Sequence, residues 1–199
     1  VEYNPALQSR WFMVPAIVVM VLGVITMLLS ALAIVKEREN GTIEQLAVTP
    51  IKPLELIIGK LLPFVGVGTA VATLVTVAAV LVFRIPFRGD PLVLLGMGLL
   101  FLMSSLGLGL LVSTVSRTQQ QAMLSAVLVL LPSFLLGGVF YPVTNMPDWA
   151  QRLAELSPIR YFVAMVRAVF LKGAGFQDLR WETSRLVIVG VVVLLVATL

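Results

Sequence analysis

Long uncharged apolar runs, separated by short polar segments, are the feature of this sequence that most limits how it can fold. Four complete runs contain no Asp, Glu, Lys or Arg, and a shorter fifth run lies at the end. They cover residues 12–35, 61–83, 92–115, 122–140 and 186–199. A bilayer core needs about 20 consecutive apolar residues per helix, so these runs are predicted to span a membrane.

The fold class follows from the free-energy cost of unpaired backbone groups in lipid. An unpaired backbone N–H or C=O in hydrocarbon costs several kcal/mol, and a helix satisfies these groups internally. The runs also lack the period-two alternation of membrane barrels. The sequence therefore predicts an all-α fold, a polytopic membrane helical bundle.

Composition excludes most catalytic functions. The 199 residues include no Cys and no His, which removes thiolate nucleophiles, iron–sulfur ligation and the commonest metal ligand. Gly59-Lys60 is followed by Leu61, so the spacing of a nucleotide-binding loop fails. No carboxylate lies inside the four complete runs, which argues against ion-coupled transport. The chain is predicted to be no enzyme, to need no cofactor and no metal, and to depend on an external energy source.

Basic residues leave the orientation open. The net charge is +4, and the basic residues lie beside the apolar runs. They are therefore expected to contact lipid headgroups and not nucleic acid. If the spans alternate, one side receives five basic residues and the other nine, so the positive-inside rule alone would place the 36–60 loop outside. Six of the nine lie in or beside an amphipathic segment, which weakens that count.

The 36–60 loop carries the signals of a short helix. Gly41 suits the position after a helix end, and Thr42 with Gln45 forms a capping-box pattern that restarts a helix. Pro50 ends it. The predicted product is a short helix lying across the membrane surface.

Segment 146–173 predicts two amphipathic helices. Trp149, Leu153 and Leu156 share one face of the first, and Ser157-Pro158 is predicted to cap the second. Apolar residues of the second follow helical spacing up to Gly173: Ile159, Phe162, Val163, Val166, Val169 and Phe170. Charged residues make a full span expensive, so a re-entrant pair is expected, acting as a seal or a gate. Trp149, Tyr161 and Phe162 are each interpreted as part of an interfacial aromatic belt.

The polar residues resemble, in order, those of the ABC-2-type transporter permeases. The main motif is Lys36-Glu37-Arg38-Glu39-Asn40-Gly41-Thr42-Ile43-Glu44-Gln45-Leu46, followed by Thr49-Pro50 and Gly59-Lys60. It is similar to the cytoplasmic coupling loop of that family. Shorter motifs also resemble the family: Tyr3-Asn4-Pro5, Trp11-Phe12-Met13-Val14-Pro15, Gly137-Gly138-Val139-Phe140-Tyr141-Pro142 and Leu156-Ser157-Pro158.

The resemblance implies a permease of six spans with an extracytoplasmic domain between the first and second. Residues 1–11 would end that domain, and 12–199 would form the ABC-2-type transmembrane domain. The first span and most of the extracytoplasmic domain would precede this sequence. Two permease chains, as a homodimer or heterodimer, would assemble with two ABC ATPase subunits in the lipid of a bacterial inner membrane, without nucleic acid.

The resemblance also assigns the sites and the orientation. It places the 36–60 loop in the cytosol and the 146–173 helices at the outer leaflet. The ATPase-coupling residues it implies are Glu37, Arg38, Glu39, Gly41, Thr42, Glu44, Leu46, Thr49 and Pro50. Those of the outer re-entrant or gating helices are Tyr141, Pro142, Trp149, Ser157, Pro158 and Arg160.

The expected function is export of an amphipathic or lipid-like substrate, driven by a separate ATPase subunit. The alternative is a permease-like scaffold or sensor that moves no substrate itself. A membrane-embedded enzyme is a third possibility, and the absence of His, Cys and buried acids counts against it.

Overall fold

A computed structural model describes residues 9–41 and 53–198, and all regular elements within them are helical. The helices are α1 (Ser9–Glu39), α2 (Pro53–Leu81), α3 (Pro91–Val115), α4 (Gln119–Leu136), α5 (Asp148–Ala154), α6 (Pro158–Arg167) and α7 (Arg180–Thr198). A 3₁₀ turn (Val143–Asn145) precedes α5, and a π-helical turn (Ala168–Lys172) extends α6. The predicted all-α fold class is confirmed.

Within residues 9–41 and 53–198, four helices are long and apolar enough to cross a membrane. They cover Trp11–Glu39, Leu62–Leu81, Pro91–Val115 and Gln119–Leu136. The chain is therefore a multi-pass membrane protein. The run predicted at 186–199 lies in α7 as far as Thr198, the last described residue, and α7 begins earlier, at Arg180. Its role as a fifth span stays a prediction.

The fourth helix ends earlier than the apolar run that predicted it. The run extends to residue 140, whereas α4 ends at Leu136. The Gly137 N–H donates to the Ser133 carbonyl at 2.8 Å, and Gly138 then takes a φ of 76°, which only glycine adopts without strain. Backbone conformation, and not hydrophobicity, ends the helix.

Helices α1 and α3 form the centre of the bundle. Helix α1 packs against α2, α3, α4 and α6, and α3 also packs against α7. The hydroxyls of Thr26 and Ser105 lie 2.7 Å apart, and Ser30 donates to the Leu106 carbonyl at 2.7 Å. A Cβ added at Gly109 would lie 2.6 Å from the α1 backbone. The third run carries Ser105, Gly109 and Ser113 at four-residue spacing, a stripe of small residues that predicts such a close approach of helix backbones in lipid.

The loop after α2 is attached to the end of α6. The Arg88 N–H donates to the Phe170 carbonyl at 3.1 Å, and Arg88 Nη1 lies 3.5 Å from the Leu171 carbonyl. Gly173 has a φ of 66° and ends the π-helical turn, which confirms it as the predicted stop. These contacts gather the α2–α3 loop and α6 at the end of the bundle opposite the C-terminus of α1.

Candidate functional site

The candidate coupling loop begins at the last turn of α1. Glu37 is half-buried, while Arg38, Glu39 and Gly41 are exposed. Gly41 has a φ of 71°, and its N–H donates to the Arg38 carbonyl at 3.2 Å. Its predicted place after a helix end is confirmed. Five predicted residues lie outside the described residues: Thr42, Glu44, Leu46, Thr49 and Pro50.

The end of α1 is joined to the turn between α3 and α4. Arg38 Nη1 donates to the Ser116 carbonyl at 3.0 Å. Glu39 Oε2 accepts from Nε2 of Gln119 at 2.7 Å and from its N–H at 3.3 Å. We call residues 36–41 together with 116–121 the platform. The coupling loop therefore leaves the bundle from a surface formed by two inter-span segments.

The turn within the platform is itself held by reciprocal capping. Thr118 is the N-cap of α4, and its hydroxyl accepts from the Gln121 N–H at 3.2 Å. The Gln121 side chain accepts from the Arg117 N–H at 2.8 Å. Two backbone donors at the start of α4 are thus satisfied by side chains, which fixes the turn.

Sequence reasoning did not assign a role to Ser116 or Gln119. Their partners on α1 lie about eighty residues away in the chain, at separations of 78 and 80 residues. A signal was nevertheless present, because three consecutive glutamines follow a short turn between two apolar runs. Such residues offer donors and acceptors without a charge.

At the other end of the bundle, the predicted gating residues divide into two sets. Tyr141, Pro142 and Trp149 are exposed, whereas Ser157 and Pro158 are buried. Pro158 occupies the first turn of α6 as predicted, but the Ser157 side chain makes no capping hydrogen bond. Ser157 is nevertheless the N-cap residue of α6, as predicted, and its hydroxyl lies 3.5 Å from the carbonyl of Ser133 on α4.

Arg160 links the two short helices. It is half-buried, and its Nη1 donates to the Gln151 carbonyl on α5 at 2.9 Å. The Tyr161 hydroxyl donates to the Glu155 carbonyl between the helices at 3.0 Å. The pair is thus one hydrogen-bonded unit, which we call the α5–α6 hairpin.

The aromatic residues of α6 lie in the protein interior. Tyr161 and Phe162 are each 2% exposed, and the Phe162 ring stacks on Phe101 of α3 with centroids 4.3 Å apart. Their interpretation as an interfacial belt is wrong, because α6 packs its apolar face on α1, α3 and α4. Trp149 is 65% exposed and is compatible with such a belt.

Arg167 is the central polar residue at this end, and sequence reasoning treated it only as an expensive charge. Its Nη1 and Nη2 donate to the carbonyls of Gly138 and Val139 at 2.9 and 3.1 Å. The guanidinium lies 3.7 Å from the ring centroid of Phe12 on α1. Burial lowers the pKa of Arg167 to about 10, so it remains charged at neutral pH. The α4 break, α6 and the start of α1 therefore meet at one cation.

Neither region has the groups of a catalytic centre. Across the described ranges, no cluster of three or more His, Cys, Asp or Glu side chains could hold a metal ion. What the platform offers is hydrogen bonding and charge at a helix end, which suits docking of another protein.

Sequence comparison supplies the family context for this geometry. The family described as ABC-2 type transporter matches residues 4–171. The "Probable multidrug ABC transporter permease YbhR" of Escherichia coli K12 is 36% identical over 181 residues, which is 91% of this chain and 49% of that protein. The "Inner membrane transport permease YhhJ" of the same strain is 33% identical, over 88% of this chain and 47% of that protein.

A more distant relative comes from a Gram-positive bacterium. The "Linearmycin resistance permease protein LnrN" of Bacillus subtilis is 24% identical over 155 residues, covering 78% of this chain and 40% of that protein. The chain thus spans about half the length, or less, of these relatives.

Proposed function

This chain belongs to the ABC-2 type transporter family, and from that premise we propose that it is the permease subunit of an ABC exporter. The exporter moves an amphipathic or lipid-like substrate out of the cytoplasm and draws its energy from a separate ATPase subunit. The platform is the observation that best supports this role, because it joins the candidate coupling loop to a second inter-span turn through Arg38 and Glu39.

The α1–α3 pair gives the platform a rigid support. An ATPase that pushes on the loop would act on Arg38 and Glu39, and through them on both helices. The Thr26–Ser105 hydrogen bond and the close approach at Gly109 hold these helices together. Packed helices move as units rather than deforming continuously, so displacement at the platform would reach the opposite end.

The opposite end is built to respond to such a displacement. Phe12 near the start of α1 lies against Arg167, which binds the carbonyls of the α4 break. A shift of α1 would therefore reach α4 and the α5–α6 hairpin together. This supports a gating role for the hairpin at the outer leaflet, with the platform in the cytosol.

Apolar spans support the proposed substrate class. The spans Trp11–Glu39, Leu62–Leu81, Pro91–Val115 and Gln119–Leu136 have mean hydropathies from 1.4 to 2.8. Their central turns carry no charge that could recognise an ion. Two relatives are named for multidrug transport and linearmycin resistance, which supports an amphipathic small compound as cargo.

The proposed assembly contains two permease chains and two ATPase subunits. A permease without its ATPase should hydrolyse no ATP, because the nucleotide-binding loop is missing from this sequence. Whether the two permease chains are identical is decided by copurification of differently tagged copies.

Crosslinking and coupled ATPase activity test the proposal. In the full-length protein, a cysteine crosslinker at Leu46 should capture the ATPase, and Glu39→Lys should lower coupled ATPase activity without loss of membrane insertion. Asp178→Lys is the matched control, since Asp178 is exposed at the opposite end and lies outside the α5–α6 hairpin. Absence of any ATPase crosslink at Leu46 contradicts the coupling assignment. Coupled ATPase activity without substrate flux into inverted vesicles would favour the scaffold or sensor alternative.

A further inference from the structure

A cavity of about 390 Å³ lies between α1, α2, α3 and α6, away from the platform. Helix α2 meets α3 closely at Gly68, where an added Cβ would lie 2.5 Å from Leu102. Beyond this contact, α2 lines the cavity from Thr69 to Leu81, and Phe87 lines it from the following loop. The cavity is thus bounded by a helix contact at one end and a loop at the other. Its volume is within the range of ligand-binding pockets.

The depth of the cavity matches one leaflet of a bilayer. At a rise of 1.5 Å per residue, the α2 segment that lines it is about 18 Å long. Half of a hydrocarbon core is about 15 Å thick. The lining runs toward the α2–α3 loop, which lies at the same end as the α5–α6 hairpin. An extended chain from that leaflet would fit alongside α2.

The residues that line the cavity are unsuited to binding a charged ligand. All residues around the cavity are uncharged, and most are aliphatic. Thr69 and Thr73 face it, but their hydroxyls donate to the carbonyls of Val65 and Thr69 on their own helix, at 2.7 and 2.8 Å. Thr76 is the third threonine of the lining, and no charged side chain faces the cavity. A charged ligand group placed here would therefore lose its hydration without gaining a charged partner.

Helix α6 connects the cavity to the α4 break. Phe162 and Val166 both line the cavity. The Phe162 ring stacks on Phe101, and Val166 immediately precedes Arg167, which donates to the Gly138 carbonyl. A molecule in the cavity therefore lies directly against the helix that holds the proposed gate.

We infer that this cavity is a binding site, inside a single protomer, for the uncharged apolar chain of a hydrophobic or amphipathic molecule. The exported compound and the acyl chain of a bilayer lipid share this chemistry. Naming the exported compound as occupant rests on the proposed function, whereas the binding itself does not.

Two glycines on α3 provide a matched pair for the test. Gly98 lines the cavity, and a Cβ added there meets nothing within 4 Å. Gly96 has the same open space but does not line the cavity. Gly98→Leu fills the cavity from within, while Gly96→Leu makes the same chemical change outside it. Thr73→Phe, with Leu74→Phe as its control, fills the cavity from α2 if Gly98→Leu does not fold.

The test uses the full-length protein in phosphatidylcholine nanodiscs. One arm adds 3-trifluoromethyl-3-phenyldiazirine as a free apolar probe, and the other incorporates a phosphatidylcholine with a diazirine in one acyl chain. After photolysis, mass spectrometry measures labelling of the cavity-lining residues within 69–81, relative to labelling of the outward-facing Leu74, which does not line the cavity. The cavity-filling variant should reduce this labelling about tenfold, because one methylene in an apolar pocket already changes binding by about tenfold or more. The control variant should not reduce it.

If the free probe labels the wild type and Gly98→Leu removes this labelling, the result supports a site open to exported compounds. Labelling by the lipid probe alone, again removed by Gly98→Leu, supports a bound acyl chain. Equal labelling of wild type and both cavity-filling variants, or no labelling of 69–81 by either probe, overturns the inference. The Leu46 crosslink to the ATPase is independent of all these outcomes, so the two proposals fail separately.

Discussion

The hydroxyl oxygens of Thr26 and Ser105 lie 2.7 Å apart at the buried interface of α1 and α3. One turn further along α1, the Ser30 hydroxyl donates to the Leu106 carbonyl. The polar contact between the two helices therefore extends over two successive turns of α1. Apolar packing alone gives weak specificity between helices in lipid, and polar contacts of this kind fix how two helices are aligned. The alignment of α1 with α3 sets the position of the platform.

The first prediction concerns that alignment. Gly109→Ala places a Cβ 2.6 Å from the Met27 carbonyl oxygen and from the Ser30 side chain. We expect overpacking to lower the free energy of unfolding by about 1–3 kcal/mol. Gly96→Ala, whose Cβ meets nothing within 4 Å, should be neutral or stabilising by up to about 1 kcal/mol. Equal unfolding midpoints for the two variants in a denaturing-detergent titration would contradict the packing shown.

The second prediction tests the platform. Gln119→Ala removes the 2.7 Å side-chain hydrogen bond to Glu39 while keeping the backbone N–H donor and every charge in place. Coupled ATPase activity of the assembled complex should fall, because the coupling loop loses part of its connection to α4. Gln120→Ala is the neighbouring control, at an exposed position. If both variants keep wild-type activity, the Glu39–Gln119 contact has no part in coupling.

A third prediction addresses Arg167. Arg167→Lys loses the forked contact with the Gly138 and Val139 carbonyls, and hydrogen bonds from charged groups contribute about 1.5–3 kcal/mol. Amide hydrogen exchange at residues 137–140 should accelerate, whereas Arg152→Lys, at an exposed position, should leave it unchanged. Unaltered exchange in Arg167→Lys would show that the break is held by other contacts.

The fourth prediction concerns how the contribution of Arg167 to stability depends on pH. Burial lowers the pKa of Arg167 to about 10, so the unfolded chain binds the proton more tightly than the folded one. The burial penalty is therefore relieved only as the pH rises through about 10. Between about pH 6 and 9 its contribution to stability should be constant. A pH-dependent change in the protection factors of residues 137–140 within that window, present in the wild type and absent in Arg167→Lys, would contradict a fixed charge.

The fifth prediction decides the orientation. In intact cells that produce the full-length protein, a membrane-impermeant maleimide should label a cysteine at Asp148 or Gln177 and not one at Asn40 or Gln120. All four positions are exposed, and the native 199-residue sequence contains no cysteine. The reverse labelling pattern would remove the coupling assignment, since an ATPase fuelled in the cytosol cannot dock on an external surface.

Local chemistry in the sequence predicted much of the fold. Gly41 and Gly173 end helices where their backbone freedom is needed, and the Ser105 and Gly109 stripe marks the α1–α3 contact. Each of these signals depends on residues close together in the chain. Helix existence and small-residue packing could therefore be inferred without a structure.

The environment of an apolar helical face could not be predicted. Phe162 follows helical spacing, but lipid and a protein core are equally apolar, so periodicity does not distinguish them. Its partner, Phe101, lies on another helix. Arg167 was missed for a related reason, because its acceptors are backbone carbonyls 28 and 29 residues away, and every residue type has a carbonyl.

The attachment of the α2–α3 loop to α6 also sets an order for biogenesis. Arg88 and its acceptor Leu171 are 83 residues apart, so the ribosome releases the loop long before its partner exists. At typical synthesis rates of about 5–20 residues per second, this interval lasts roughly 4–17 s. During it, α1 and α2 can already be inserted and α3 follows, while the wall of the cavity formed by α6 is still missing. A chaperone or lipid that shields this half-built face would act within that interval.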